Sequence, residues 1–214
     1  MKKLVIFDLD GTLMDTKPGI VAALSYAMEK TGLAIPDDAT MDTFIGPPLE
    51  DSFSRVYGIG GAPLREVIAI YRKRYLEGDI YHSYPYDGIF PLLSDLRSIG
   101  VDTAVATYKL ESMARDLLCR FHFDDYIPYI YGKDPGNTLS KSDIIRKCIE
   151  MSGHTREEAI MVGDRCYDAI GAADAKVDFV GALYGFGFRN MNDVTKYDNI
   201  GAVEEPLEIK RFVY

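Results

Sequence analysis

The stretch FDLDGTLMDT, residues 7–16, constrains this chain more than any other. It closes a short apolar run, Leu4-Val5-Ile6-Phe7, whose length and branched side chains suit a buried strand. Alternation along a strand sends Asp8 and Asp10 to one face and Leu9 to the other. Two carboxylates on one face repel and raise each other's pKa unless something neutralises them. Gly11-Thr12 reads as a turn out of the strand, where glycine frees the backbone. Strand-end punctuation accounts for an Asp-Gly pair. It does not account for two aspartates at spacing two on the exit of an opening strand, whereas a cation does.

Composition narrows the partners of such a site. The 214 residues can bury roughly 70% of their unfolded surface, enough for one core plus a small accessory domain. The charge is −9, from 33 acidic and 24 basic residues, which argues against binding nucleic-acid polymers. An acidic chain that handles an anion needs local positive charge from a metal ion or a placed lysine. Cys119, Cys148 and Cys166 form no Cys-x-x-Cys pair and are expected to be free, buried thiols, as suits a cytoplasmic protein. His82, His122 and His154 are scattered without metal-ligand spacing, and His154 is expected to be a solvated loop residue. The first residues are too short an apolar run for a signal peptide, and no run approaches the ~18 residues of a membrane span.

Residues 16–83 have helical periodicity, in segments opened by proline and closed by glycine, with no convincing strand among them. Beyond Tyr84 strands and helices alternate. VDTAVAT, YIPYIYG, AIMVGD and DFVGALYG read as strands; GIFPLLSDLRSIG, LESMARDLLCRFH, KSDIIRKCIEMSG and DAIGAADA read as helices. A short helix over NMNDVTKY and a terminal helix after Glu205 complete the pattern. Such alternation implies an α/β fold, a parallel sheet flanked by helices with right-handed crossovers. The expected division is a core of residues 1–15 and 84–214 and a helical insertion of residues 16–83.

Ligands of open parallel sheets bind beyond the carboxyl ends of the strands. Asp8, Asp10, Thr107 and Asp164 stand at or just past such ends, with Asp168 and Lys141 at the starts of adjacent helices. Carboxylates at a rim form a hard-oxygen site suited to Mg2+, which keeps waters and binds substrate phosphate. Lys141 and Thr107 suit phosphoryl oxygens. One aspartate can attack phosphorus and another can move the proton.

In these motifs and their order the chain resembles the haloacid dehalogenase-like hydrolases: FDLDGTLMDT, AVATYK, Lys141 in LSKSDII, and MVGDRCYD. The resemblance implies a Rossmann-like core with a helical cap after the first strand. It also implies Asp8 as nucleophile, Asp10 as acid/base, and Thr107 and Lys141 as phosphate contacts. Asp8, Asp164 and the Asp10 carbonyl would bind Mg2+, with Asp168 supporting the metal through water or pairing with Lys141. Members that cleave carbon–halogen bonds lack an aspartate at the position of Asp10, so Asp10 points to phosphoryl transfer. GIVAALSYAMEKTG, FIGPPLEDSF and GALYGFGFRN are similar to the branch of phosphoglycolate phosphatases and 5'-nucleotidases.

The expected activity is Mg2+-dependent hydrolysis of a small phosphorylated metabolite, with phosphoglycolate or a nucleoside monophosphate as the substrate. A phosphomutase and a phospho-acceptor switch of the receiver type are the competing classes. Two departures from the family stand out. Tyr108 follows Thr107 where Asn or Ser is usual, and could narrow the pocket or stack on a base. GKDPGNTL, residues 132–139, differs from the branch and carries no role in this reading. Gly46-Pro47-Pro48 reads either as the start of a helix or as cap backbone near the substrate. The glycines of YGIGG and GFGFRN lack the spacing and position of a dinucleotide loop.

Overall fold

The computed structural model describes residues 1–214. The chain divides into two compact units, residues 1–15 with 85–214, and residues 16–84. In chain order, β1 (Leu4–Phe7) and β2 (Met14–Asp15) open the first unit, and α1 (Lys17–Thr31), α2 (Asp38–Asp42), α3 (Leu49–Tyr57) and α4 (Gly61–Glu77) form the second. The chain returns through β3 (Tyr84–Pro85) to α5 (Ile89–Ser98), β4 (Asp102–Leu110) and α6 (Glu111–Arg120). It continues with β5 (Tyr129–Lys133), α7 (Lys141–Ser152), β6 (Ala159–Gly163), α8 (Cys166–Ala175), β7 (Asp178–Ala182), α9 (Met191–Val194) and β8 (Gly201–Val203).

In the first unit six strands form one sheet in the order β5-β4-β1-β6-β7-β8. Every neighbouring pair is parallel, with Leu4 opposite both Asp102 and Ala159 and Phe7 opposite both Val105 and Val162. β1 lies between two partners and all four of its residues are fully buried, which explains its unbroken apolar run. From β1 the order runs through β4 to β5 on one side, then restarts at β6 on the other. The carboxyl end of β1 is therefore the topological switch point, where open α/β sheets bind ligands. Asp8 and Asp10 follow β1 there.

The helical unit is organised by one stripe. Ile20, Ala23, Leu24, Ala27 and Met28 are the buried face of α1, at spacings of three and four. Val67, Ile68, Tyr71 and Tyr75 are the buried residues of α4. The rings of Phe44 and Phe53 meet edge to face at 5.1 Å. Gly19 has no room for a side chain, since a Cβ would lie 2.0 Å from the Asp79 carbonyl oxygen. Gly46-Pro47-Pro48 leads into α3, whose N-cap is Pro48.

The structure departs from the sequence expectations at several points. β4 runs past Thr107 to Leu110, with a register irregularity between Ala106 and Leu110. β8 was not legible, because three residues of Gly-Ala-Val carry no period; its pairing with β7 makes it a strand. The helix expected after Glu205 is present, as a 3-10 helix over Pro206–Phe212. Only Cys148 is a buried thiol, pushed up to about 12 by its burial; Cys119 is exposed and Cys166 partly so. All three are free. His154 is not simply solvated, since its Nε2 lies 2.8 Å from Asp102 Oδ2. No helix is long and apolar enough to cross a membrane.

Candidate active site

Six residues singled out in the sequence (Asp8, Asp10, Thr107, Lys141, Asp164 and Asp168) each expose no more than 9% of their surface. Lys141 is the first residue of α7. Its backbone is set by Ser140, whose hydroxyl accepts the Asp143 N–H while the Asp143 carboxylate accepts the Ser140 N–H. From that anchored start the Lys141 ammonium donates to Asp8 Oδ1 at 2.7 Å and pairs with Asp168 Oδ1 at 2.7 Å. Asp168 Oδ2 in turn accepts the Arg165 N–H at 3.0 Å, closing the start of α8. Asp168 therefore caps its helix and holds the lysine at once.

Asp8, Asp164 and Asp168 bring carboxylate oxygens within 4.8 Å of one another. Asp164 Oδ2 accepts the backbone N–H groups of Phe186 and Gly187, at 2.8 and 3.0 Å. Its other oxygen, Oδ1, is buried without a hydrogen-bond partner. Burial, reinforced by the charges of Asp168 and Asp8, pushes the Asp164 carboxyl up to about 8, against a partial offset from Arg165. Burial likewise raises Asp8, with Lys141 opposing and Asp168 and Asp10 adding to the shift. Burial alone would lower Lys141, but the Asp168 and Asp8 carboxylates outweigh it and hold the ammonium above its ordinary value. Asp8 and Asp168 share the Lys141 ammonium, and the third buried carboxylate, Asp164, keeps one oxygen orphaned. That donor set fits a hard divalent cation with oxygen ligands.

The Asp164 carboxylate is held by close backbone packing. A Cβ on Gly11, where φ is +86°, would lie 2.6 Å from Asp164 Oδ2, and one on Gly185 would lie 2.3 Å from the Gly11 carbonyl oxygen. The GFG segment is thus a clamp on Asp164, which the sequence showed only as a run of glycines. Asp10 lies outside the three-carboxylate cluster. Both its oxygens accept from the Lys109 ammonium, at 2.9 and 3.1 Å. Thr107 Oγ1 accepts the Lys109 N–H at 3.1 Å, so the irregular end of β4 presents the hydroxyl and the lysine together. Lys109 escaped the sequence reading; its place two residues after Thr107 was the available signal. Tyr108 is also committed. Its hydroxyl accepts the Lys141 N–H at 3.1 Å and its ring meets Tyr167 edge to face at 5.8 Å.

A pH dependence follows from the raised acids. A carboxyl with a higher pKa folded than unfolded contributes stability present below the unfolded value, 3.8, and lost as pH rises through the folded value. The acids with lowered values, Asp37, Asp134, Asp143, Glu157, Glu158 and Asp193, have largely ionised by pH 5 and do not mask the effect. In EDTA the denaturant midpoint is expected to be lower at pH 8 than at pH 5, and Mg2+ is expected to close the gap. A metal-free midpoint that rises from pH 5 to pH 8 would contradict the crowding of these carboxylates.

A haloacid dehalogenase-like hydrolase family model matches residues 5–182. A 5'-nucleotidase of Pseudomonas aeruginosa is 37% identical over 184 residues, covering 86% of this chain and 83% of that protein. The tyrosine-protein kinase PtkA of Mycobacterium tuberculosis is 37% identical over 194 residues, covering 90% of this chain but only 66% of that longer protein. A phosphoglycolate phosphatase of Aquifex aeolicus is 30% identical over 187 residues, covering 86% of each. Among solved structures, a haloacid dehalogenase-like family hydrolase from Streptococcus pneumoniae superposes with a TM-score of 0.92 at 30% identity, covering 100% of this chain and 99% of that one. The family match runs from the opening strand through β7, and with it the chain belongs to the haloacid dehalogenase-like hydrolases, as a phosphatase of that family.

Proposed function

We propose that this enzyme is a Mg2+-dependent phosphomonoester hydrolase for small phosphorylated metabolites, working through an aspartyl-phosphate on Asp8. The observation that carries the reading is the Asp8–Lys141–Asp168 ion-pair chain beside the orphaned Asp164 oxygen, at the switch point of the sheet. Lys141 engages Asp8 Oδ1, which leaves the other oxygen to attack phosphorus. The Asp8 O–P bond forms as the ester P–O bond breaks, and Asp10 gives its proton to the departing alkoxide. Asp10 then takes a proton from water, which attacks the phosphorus and releases Asp8 and inorganic phosphate. Lys109 orients Asp10 for both transfers. Lys141 and the Thr107 hydroxyl contact the phosphoryl oxygens. Asp8, Asp164 and the Asp10 carbonyl would hold Mg2+, with Asp168 behind them. When bound, the ion offsets charge on the transferring group and lowers its repulsion with Asp8.

The helical unit, residues 16–84, corresponds to the family's cap in this reading. Phosphoglycolate is the leading substrate, supported by the Aquifex relative; a nucleoside monophosphate is the second, supported by the Pseudomonas relative. No part of the kinase activity named for PtkA is carried over. The three free cysteines favour a cytoplasmic enzyme.

Phosphate release should be measured from phosphoglycolate, nucleoside monophosphates, hexose phosphates and an aryl phosphate, with Mg2+ and with EDTA. Release with Mg2+, abolished by EDTA, is expected. Interconversion of sugar phosphates, or a stable phospho-Asp8 without release, overturns the hydrolase reading in favour of a mutase or a switch.

A further inference from the structure

Lys133 is the last residue of β5, within the GKDPGNTL segment, and exposes only 9% of its surface. A buried ammonium is ordinarily paired with an anion. This one has no carboxylate partner: its ammonium reaches the Asn137 carbonyl oxygen at 3.4 Å and stands 4.6 Å from the centre of the Tyr108 ring. Asp134, next in the chain, and Glu111, whose Oε2 accepts the Gly132 N–H at 3.5 Å, are engaged elsewhere. Asp134 Oδ1 accepts the Thr138 and Leu139 N–H groups at 2.8 and 3.0 Å, and its Oδ2 accepts the Thr138 hydroxyl at 3.0 Å. Glu111 pairs with Arg115 at 3.1 Å and Lys147 at 3.5 Å.

The location of this charge is also constrained. A Cβ on Gly132 would lie 2.4 Å from the Lys109 carbonyl oxygen, so the end of β5 is pressed against the end of β4. Tyr108, held by its hydroxyl on the Lys141 N–H, has the ammonium groups of Lys133 and Lys141 at 4.6 and 5.5 Å from its ring centre. The uncompensated lysine therefore shares an aromatic ring with the lysine that holds Asp8. We infer that Lys133 and Tyr108 form a subsite for a second anionic group on the substrate, carried by the part that leaves with the ester oxygen. The inference rests on the phosphomonoesterase reading. Within it, esters bearing a carboxylate or further phosphate near the scissile group are selected over those with a neutral leaving group. Tyr108 orients the ammonium and is already packed, so it is not a free platform for a base.

Binding without turnover tests this. Dissociation constants for 3-phosphonopropionate, methylenediphosphonate and ethylphosphonate should be measured by calorimetry with Mg2+, for the wild type, Lys133→Met and Lys133→Arg. The wild type is expected to prefer at least one of the doubly acidic probes over ethylphosphonate by about tenfold or more. Lys133→Met, which keeps the apolar stem, is expected to bring that preference to within about twofold of parity, and Lys133→Arg to restore most of it. The stronger of the two acidic probes identifies a carboxylate or a second phosphoryl group as the recognised anion. No preference in the wild type, no measurable binding of any probe, or a preference untouched by Lys133→Met overturns the inference. Phosphate release is read separately. A preference that depends on Lys133, in a protein that hydrolyses none of the panel of esters, means that the phosphatase reading has failed and the anion subsite has not.

Discussion

Asp8→Asn is expected to lower phosphate release by at least about 10^4-fold, the scale on which covalent nucleophiles are missed. The amide cannot form the acyl phosphate, so no phosphoenzyme should accumulate in rapid-quench labelling. The fold should survive. Lys141 keeps Asp168 as a partner at 2.7 Å, and one member of a crowded set of buried acids has been removed. Retained turnover in a well-folded Asp8→Asn protein removes Asp8 from the nucleophile's role.

Lys141→Met should have the largest effect on stability. Lys141 is 3% exposed and pairs with the buried carboxylates of both Asp8 and Asp168 at 2.7 Å. Removing one partner from a buried ion-pair network costs about 3–5 kcal/mol, since the remaining charges lose their compensation. The loss should depend on pH. Burial already raises the Asp8 carboxyl above 3.8, and without the ammonium that opposes this shift it moves further upward. Protonation then relieves the strain below about pH 5, and the deficit is greatest near pH 8. Denaturant unfolding in EDTA at the two pH values measures it, and Mg2+ at pH 8 should recover a large part. An equal loss at pH 5 and pH 8 would mean that packing, not charge, is what Lys141 supplies. Activity is expected to fall roughly 10^2–10^3-fold, as when one preorganised electrostatic contact is lost.

What was legible follows from how far each signal reaches along the chain. Strand ends are local features. Leu4-Val5-Ile6-Phe7 followed by Asp8, and Ala159-Ile160-Met161-Val162-Gly163 followed by Asp164, declare both the buried strand and the acid at its exit. Helix starts are equally local, as the Ser140–Asp143 capping pair before Lys141 illustrates. Once the strands are parallel, their carboxyl ends share one rim, and residues at those ends are neighbours whatever their separation in the chain. β8 was illegible for the complementary reason: three residues have no period, and only the hydrogen bonds of β7 make them a strand.

By itself, the sequence determined the α/β alternation, the helical character of residues 16–83, and the acids, hydroxyl and lysine carried to the strand ends. Those features depend on residue type and spacing within a few positions. The tertiary structure alone decided which partner each of those groups meets. Lys109 on Asp10, the Phe186 and Gly187 amides on Asp164, and Lys133 against Tyr108 without a carboxylate are pairings across roughly 20 to 100 residues. They depend on the irregular end of β4, the close approach of Gly132 to Lys109 and the packing of Gly185 on Gly11. Local periodicity carries no information about such long-range register, because it is set by how the strands and loops pack rather than by the residues beside each group.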